Sequence, residues 1–164
     1  MGLTNQEIMQ FQAGTPDLKS ACIVLVKTEW NAAVTNELEK GCRKIFLELG
    51  ITNVQTIVVP GAVEIPFAIK QRTLDVKNGK PDAVIALGCV IKGDTPHFDY
   101  VCQSVTQGIT QLNLMLDRPV IFGVLTVNNE AQALERIGGK HGHKGEEAAI
   151  TALKIIQLNR QMRG

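Results

Sequence analysis

Ala83-Val84-Ile85-Ala86-Leu87-Gly88-Cys89-Val90-Ile91 is an unbroken apolar run, followed at once by Lys92-Gly93-Asp94-Thr95-Pro96-His97-Phe98. An apolar run bounded by turn residues reads as a strand buried on both faces, the kind found inside parallel sheets. Thr95 can cap the next helix, and Pro96 fits its first position, where no N–H is needed. The free N–H groups at that start, with the positive end of the helix dipole, suit an anion. His97 stands in the first turn, where the dipole disfavours imidazolium, so a neutral ring able to accept and return a proton is expected. A proton carrier beside an anion pocket, at the carboxyl end of a strand, is where an open α/β enzyme does its chemistry. The bland alternative for His97 is a structural histidine.

Working outward, strand and helix patterns alternate. Ala21 to Lys27 reads as a strand and Asn31 to Leu49 as a helix, with Val34, Leu38, Cys42, Ile45, Phe46 and Leu49 on one face and Gly50 as its stop. Val54 to Val59 is a second strand and Ala62 to Lys77 a second helix. After the strand at 83–89, the helix from Pro96 carries Phe98, Val101, Cys102, Val105, Ile109, Leu112 and Leu116 at spacings of three and four. Val120 to Thr126 is a fourth strand, Asn129 to Ile137 a short helix, and Glu146 to Gln161 a last one, lined by Ala149, Ala152, Leu153 and Ile156. Such alternation requires a mostly parallel, twisted sheet with right-handed crossovers. Four strands leave two open edges, which natural proteins cover. Subunit contacts are therefore expected, with residues 1–20 an amino-terminal arm able to cover a neighbour's sheet and residues 21–164 a single domain.

Bulk properties narrow the classes. The 164 residues suffice for one domain with a real core, and 45% hydrophobic with 20% charged is ordinary for a globular protein. A net charge of +1 gives no field that would draw nucleic acid or an acidic membrane. No basic segment leads into an apolar one at the start, and no apolar stretch approaches the roughly 20 residues of a membrane span. Cys22, Cys42, Cys89 and Cys102 have neither disulfide-framework nor zinc-site spacing. A cytoplasmic location is expected.

Other strand ends carry candidate chemistry. Trp30, the single tryptophan, lies in Lys27-Thr28-Glu29-Trp30-Asn31. It either seals the strand–helix corner or offers a face for stacking a heterocycle, and Asn31 reads as a helix cap. In Val59-Pro60-Gly61-Ala62-Val63-Glu64-Ile65-Pro66, Glu64 is a carboxylate among apolar neighbours. It serves either the helix dipole or the hydroxyls of a polyol. Arg136 is either a surface arginine with an intrahelical partner or a fork of donors for phosphate. Gly138-Gly139-Lys140-His141-Gly142-His143-Lys144-Gly145 lacks the preceding strand and the spacing of a phosphate loop. His141 and His143 have no further ligands nearby, so no metal is expected; the cations better suit the wall of an anion site.

Together these segments resemble the lumazine synthase family over roughly residues 20–160. Glu29-Trp30-Asn31, Val59 to Pro66, Ile91 to Tyr100, Pro119 to Thr126, Gln132 to Arg136 and Lys140 to Gly145 carry the likeness, in the family's order. The resemblance implies a flavodoxin-like three-layer α/β/α sandwich around a four-stranded parallel sheet. It implies a transferase of riboflavin biosynthesis that condenses 5-amino-6-ribitylaminouracil with 3,4-dihydroxy-2-butanone 4-phosphate, with no cofactor. Trp30, Asn31, Ala62, Val63, Glu64, Cys89, Val90, Ile91 and Phe122 would then receive the ribitylaminouracil. Gly93, Asp94, Thr95, Arg136 and Lys144 would receive the butanone phosphate, with His97 transferring protons. Phe122, Arg136 and Lys144 match positions that the family presents from a neighbouring subunit. The family forms pentamers, in some members a 60-subunit shell, and riboflavin synthase is an implied partner. The short Gly138 to Gly142 connection resembles that of shell-forming members. Val63 stands where the family commonly has an aromatic residue, and Lys92 where arginine is frequent. The rival readings are an archaeal-type riboflavin synthase and a non-catalytic flavin-binding or shell protein on the same scaffold.

Overall fold

The computed structural model describes residues 18–75 and 77–163. In chain order they form β1 (Ile23–Thr28), α1 (Ala32–Glu48), β2 (Val54–Val59), a 3-10 turn (Ala62–Glu64) leading into α2 (Ile65–Leu74), and β3 (Ala83–Ile91). Then come α3 (His97–Met115), β4 (Val120–Val127), α4 (Glu130–Leu134), the two short strands β5 (Ile137–Gly139) and β6 (Gly142–His143), and α5 (Lys144–Arg163).

The sheet order is β2-β1-β3-β4, all parallel. This is the flavodoxin-like order carried through four strands, with its reversal point between β1 and β3. The central strands β1 and β3 are buried on both faces, so their sequences are continuously apolar. The edge strands are exposed at Gln55 and Val58 of β2 and at Phe122 and Thr126 of β4, and only the polar Gln55 and Thr126 mark this in the sequence.

Alternation along the strands sends their side chains into two separate cores. Ile23, Leu25, Ile85, Leu87, Ile121 and Leu125 pack with α1 and α5. Val24, Val26, Val84, Ala86 and Val124 pack with α2 and α3 through Ile65, Ile69, Val105, Ile109 and Leu112. The result is the expected three-layer sandwich. Only the middle of the predicted α3 stripe is fully buried; Phe98, Val101, Cys102 and Leu116 are half-buried.

Several element boundaries differ from expectation, each for a local reason. The helix expected over Ala62 to Lys77 is a 3-10 turn followed by α2, which stops at Leu74. Asp75 ends it by accepting from Lys77 N–H (3.0 Å) and Asn78 Nδ2 (2.6 Å). Arg72 turns inward, 7% exposed, and donates to the carbonyls of Gly79 and Asn78 and to Gln55 Oε1. The short helix α4 ends at Leu134 because the next residues enter an antiparallel hairpin, β5 with β6, which sequence reasoning missed. Gly138 (φ 115°) and Gly142 (φ 74°) supply its left-handed turns.

The amino-terminal arm falls mostly outside the described residues, but its last part is corrected. Leu18 is buried in the α1–α5 core, and its carbonyl accepts from Ala21 N–H at 2.9 Å.

The α1–α5 crossing is close. A Cβ at Gly145 would collide with the carbonyl of Leu38, and Cys42 Sγ donates to Gly145 O at 3.1 Å. Burial pushes the Cys42 thiol up to about 12.

Candidate active site

Register brings the carboxyl ends of β1, β2 and β3 together, with Thr28 beside Val59 and Lys27 beside Leu87. Hydrogen bonds knit the loops that follow. Glu29 N–H donates to Val59 O (2.8 Å) and Trp30 N–H to Pro60 O (3.2 Å). Thr28 Oγ1 donates to Trp30 O (3.1 Å), and the buried Thr35 hydroxyl donates to Thr28 O (3.0 Å).

Asn31 departs from its expected role. Its backbone is left-handed (φ 58°, ψ 41°), and its side chain makes no cap to α1. Instead Asn31 Nδ2 donates to Cys89 O at 2.7 Å, tying the β1–α1 loop to the tip of β3. Asparagine tolerates this conformation better than most residues, because its short polar side chain can bond locally.

Trp30 is 67% exposed, so it does not seal the corner. Its ring lies over Gly61, where a Cβ would sit 2.7 Å from two ring carbons and 3.2 Å from Glu64 Oε2. Only glycine allows that approach. Sequence reasoning missed Gly61, because the ring that it seats belongs to a residue thirty-one positions earlier in the chain. Glu64 Oε2 accepts from Gly61 N–H at 3.0 Å, which orients the carboxylate. Ala62 and Ile65 are buried, but Val63 and Glu64 are exposed, so the carboxylate is not enclosed by apolar neighbours as expected.

At the end of β3, Cys89 is buried and Val90 and Ile91 are half-buried. Burial alone pushes the Cys89 thiol up to about 11, so it stays protonated at neutral pH and serves as wall rather than nucleophile. Lys92 N–H donates to Val127 O at 2.8 Å, holding the base of the next loop. Gly93, Asp94, Thr95 and His97 are exposed, and the space around Gly93 is open. The helix starts one residue later than expected. Pro96, with helical φ −61°, takes the cap position, and Thr95 Oγ1 only weakly accepts from His97 N–H at 3.4 Å.

A second group lies elsewhere. Phe122 sits opposite Ala86 on the outer edge of β4, three rungs below the level of Cys89. Strand spacings put it on the order of 10 Å along and 10 Å across from the β1 tip. It lines a recess of about 480 Å³ with Gly123, Lys144, Glu147 and Thr151. Lys144 Nζ bonds both oxygens of Glu147 (2.8 and 2.9 Å). Lys144 N–H donates to Arg136 O at 2.8 Å, and Arg136 Nη1 donates to Gln132 O at 2.7 Å. Glu135 engages Lys140 (3.4 Å) and His141 (3.5 Å) rather than Arg136. Trp30, Asn31, Gly61 to Glu64, Cys89 to Ile91 and Gly93 to His97 thus share one end of the sheet, while Phe122, Arg136 and Lys144 form a separate set. Among the described residues, no group of three or more His, Cys, Asp or Glu could hold a metal.

The sequence profile of 6,7-dimethyl-8-ribityllumazine synthase matches residues 20–160, the span that contains both sets. The chain belongs to the 6,7-dimethyl-8-ribityllumazine synthase family. A 6,7-dimethyl-8-ribityllumazine synthase from Porphyromonas gingivalis is 51% identical over 144 residues, covering 87% of this chain and 88% of that protein. One from Cytophaga hutchinsonii is 44% identical over 158 residues, 95% of this chain and 98% of the relative. The enzyme of the same name from Parabacteroides distasonis is 47% identical over 146 residues, 88% and 89% of the two chains. Membership of the lumazine synthase family accords with the parallel α/β sheet.

Proposed function

We propose that this chain condenses 5-amino-6-ribitylaminouracil with 3,4-dihydroxy-2-butanone 4-phosphate to give 6,7-dimethyl-8-ribityllumazine, two waters and inorganic phosphate. The observation that carries the reading is the exposed Trp30 ring seated on Gly61, with the Glu64 carboxylate oriented beside it. A flat ring next to an anchored acceptor fits a heterocycle bearing a polyol chain. Cys89, Val90 and Ile91 wall the heterocycle, with Ala62 and Val63 along the polyol.

The loop Gly93-Asp94-Thr95, open at the start of α3, receives the phosphate through its backbone, with Arg136 and Lys144 as charged partners. The amine of the uracil attacks the ketone and water leaves to form an imine. Phosphate is then eliminated, and the ring closes with loss of a second water. Holding two substrates in register supplies most of the acceleration. His97 moves protons between the amine, the departing oxygens and solvent, a contribution of about 10²–10⁴.

One chain separates Phe122, Arg136 and Lys144 from Trp30 and Glu64, which supports sites shared between adjacent subunits of a pentamer, alone or within a larger shell. A cytoplasmic enzyme acting ahead of riboflavin synthase is the setting this chemistry fits; no helix among the described residues is long and apolar enough to cross a membrane.

The test is to mix purified protein with both substrates and follow lumazine absorbance, with light scattering on the same sample. Lumazine formation is expected, and none of it from the uracil alone. Riboflavin appearing from lumazine alone, or binding without product, would overturn the reading. Removing the His97 ring by His97→Ala should slow turnover without ending it, and complete loss with intact substrate binding would make proton transfer the main source of the acceleration.

A further inference from the structure

His143 carries a buried nitrogen that the proposed reaction does not use. Its Nδ1 is buried and has no hydrogen-bond partner. The ring lies against Gly41 in α1, and a Cβ at that glycine would overlap it. Both features are locally unfavourable. An unpaired buried donor or acceptor forfeits its hydrogen bonds to water, and a glycine inside a helix is less stable there than alanine. Departures from local rules concentrate where function requires them.

The interlock sits at a telling place. His143 pairs with Ile137 across the β5–β6 hairpin. The next residue is Lys144, whose N–H holds Arg136 O at 2.8 Å. The hairpin itself is glycine-rich, with Gly138, Gly139 and Gly142, so its own backbone does little to fix its position. Mechanical continuity therefore runs from the rigid helix α1 through the His143 ring to both cationic residues.

We infer that the His143 ring, seated on Gly41, is a positioning device that fixes the hairpin and so sets where Arg136 and Lys144 present their charges to phosphate. This rests on the phosphate role proposed above for those two residues. The ring acts by shape, because its Nδ1 bonds nothing.

The experiment measures inorganic phosphate affinity by calorimetry and two-substrate kinetics for the wild type and for Arg136→Ala, His143→Ala, His143→Phe and Gly41→Ala. His143→Ala and Gly41→Ala should each weaken phosphate about tenfold and raise KM for the phosphate substrate equally. The KM for the uracil and kcat should stay within about twofold, and His143→Phe should restore phosphate affinity. Wild-type affinity in His143→Ala would overturn the inference, as would parallel changes in kcat and both KM values that track thermal stability. Should Gly41→Ala fail to fold, the two His143 variants decide alone. A wild-type protein that binds phosphate but makes no lumazine would sink the proposed reaction, while the phosphate affinities would still judge the interlock. Absence of phosphate binding, or indifference to Arg136→Ala, would remove the site being positioned and the inference with it.

Discussion

Asn31 and Gly61 show how much of the candidate site rests on the backbone geometry of single residues. Asn31 combines a left-handed backbone with a 2.7 Å bond to Cys89 O. Asn31→Ala loses both the tolerance and the bond, and a urea midpoint should report a loss of about 2 kcal/mol. Asn31→Gly, which restores only the backbone freedom, should recover about half of that. Equal losses would mean that the left-handed conformation is not a cost. At Gly61 a methyl would strike the Trp30 ring, which is exposed and free to swing aside. Gly61→Ala should change stability by less than about 1 kcal/mol, yet weaken the ring substrate about three- to tenfold. Because Trp30 is the only tryptophan, its fluorescence reads that binding directly. Unchanged quenching by the uracil would remove Trp30 as the stacking surface.

At the scale of elements, two packings on the α1 face carry predictions. Glu39 of α1 accepts from Lys27 Nζ (2.6 Å) on β1, Arg43 Nε (2.8 Å) and Thr56 Oγ1 (2.7 Å) on β2. Burial opposes its ionisation, but the bonds from Lys27, Arg43 and Thr56 outweigh burial and hold the carboxyl at about 2, against an ordinary 4.5. A depressed carboxyl contributes stability that is fully present above about pH 4.5 and lost as the pH falls towards 2. Glu39→Gln should therefore be less stable at neutral pH and should flatten the loss of stability between those values. Denaturation midpoints across that range are the measurement; parallel curves would show that the network does not link α1 to the sheet by charge. At the helix crossing, Gly145→Ala forces a methyl onto the Leu38 carbonyl, where neither backbone can yield easily. A loss of about 2–3 kcal/mol in thermal or urea unfolding is expected. Full stability in that variant would mean that α1 and α5 can separate without cost.

For the whole molecule, the decisive feature is the separation of the two residue sets. Trp30 and Glu64 lie at the β1–β2 end, while Phe122 and the Arg136–Lys144 pair belong to the β4 side. If adjacent subunits share a site, Trp30→Ala and Arg136→Ala proteins fail for complementary reasons. Refolding an equal mixture should regenerate intact sites in about one quarter of positions, because each such site needs one wild-type half from each neighbour. Lumazine formation by the mixture should exceed that of either variant alone. Activity no higher than the average of the two would show that each chain builds its site by itself.

The sequence by itself determined the alternating α/β order, the two-sided burial of β1 and β3, and the candidate residues at the strand ends. Those features depend on apolar run length and on turn residues, which are local. The continuous run from Ala83 to Ile91 reads as a doubly buried strand and is one, β3. Tertiary structure alone decided that Asn31 reaches across to β3 rather than capping α1, and that Arg72 folds inward and helps end α2. It likewise brought Gly61 under a tryptophan thirty-one positions earlier in the chain and Gly41 against His143. Each of these is a contact between segments distant in sequence, where the space left by a missing Cβ matters more than any propensity. A periodic pattern reveals which face of an element is buried, but not what lies against it.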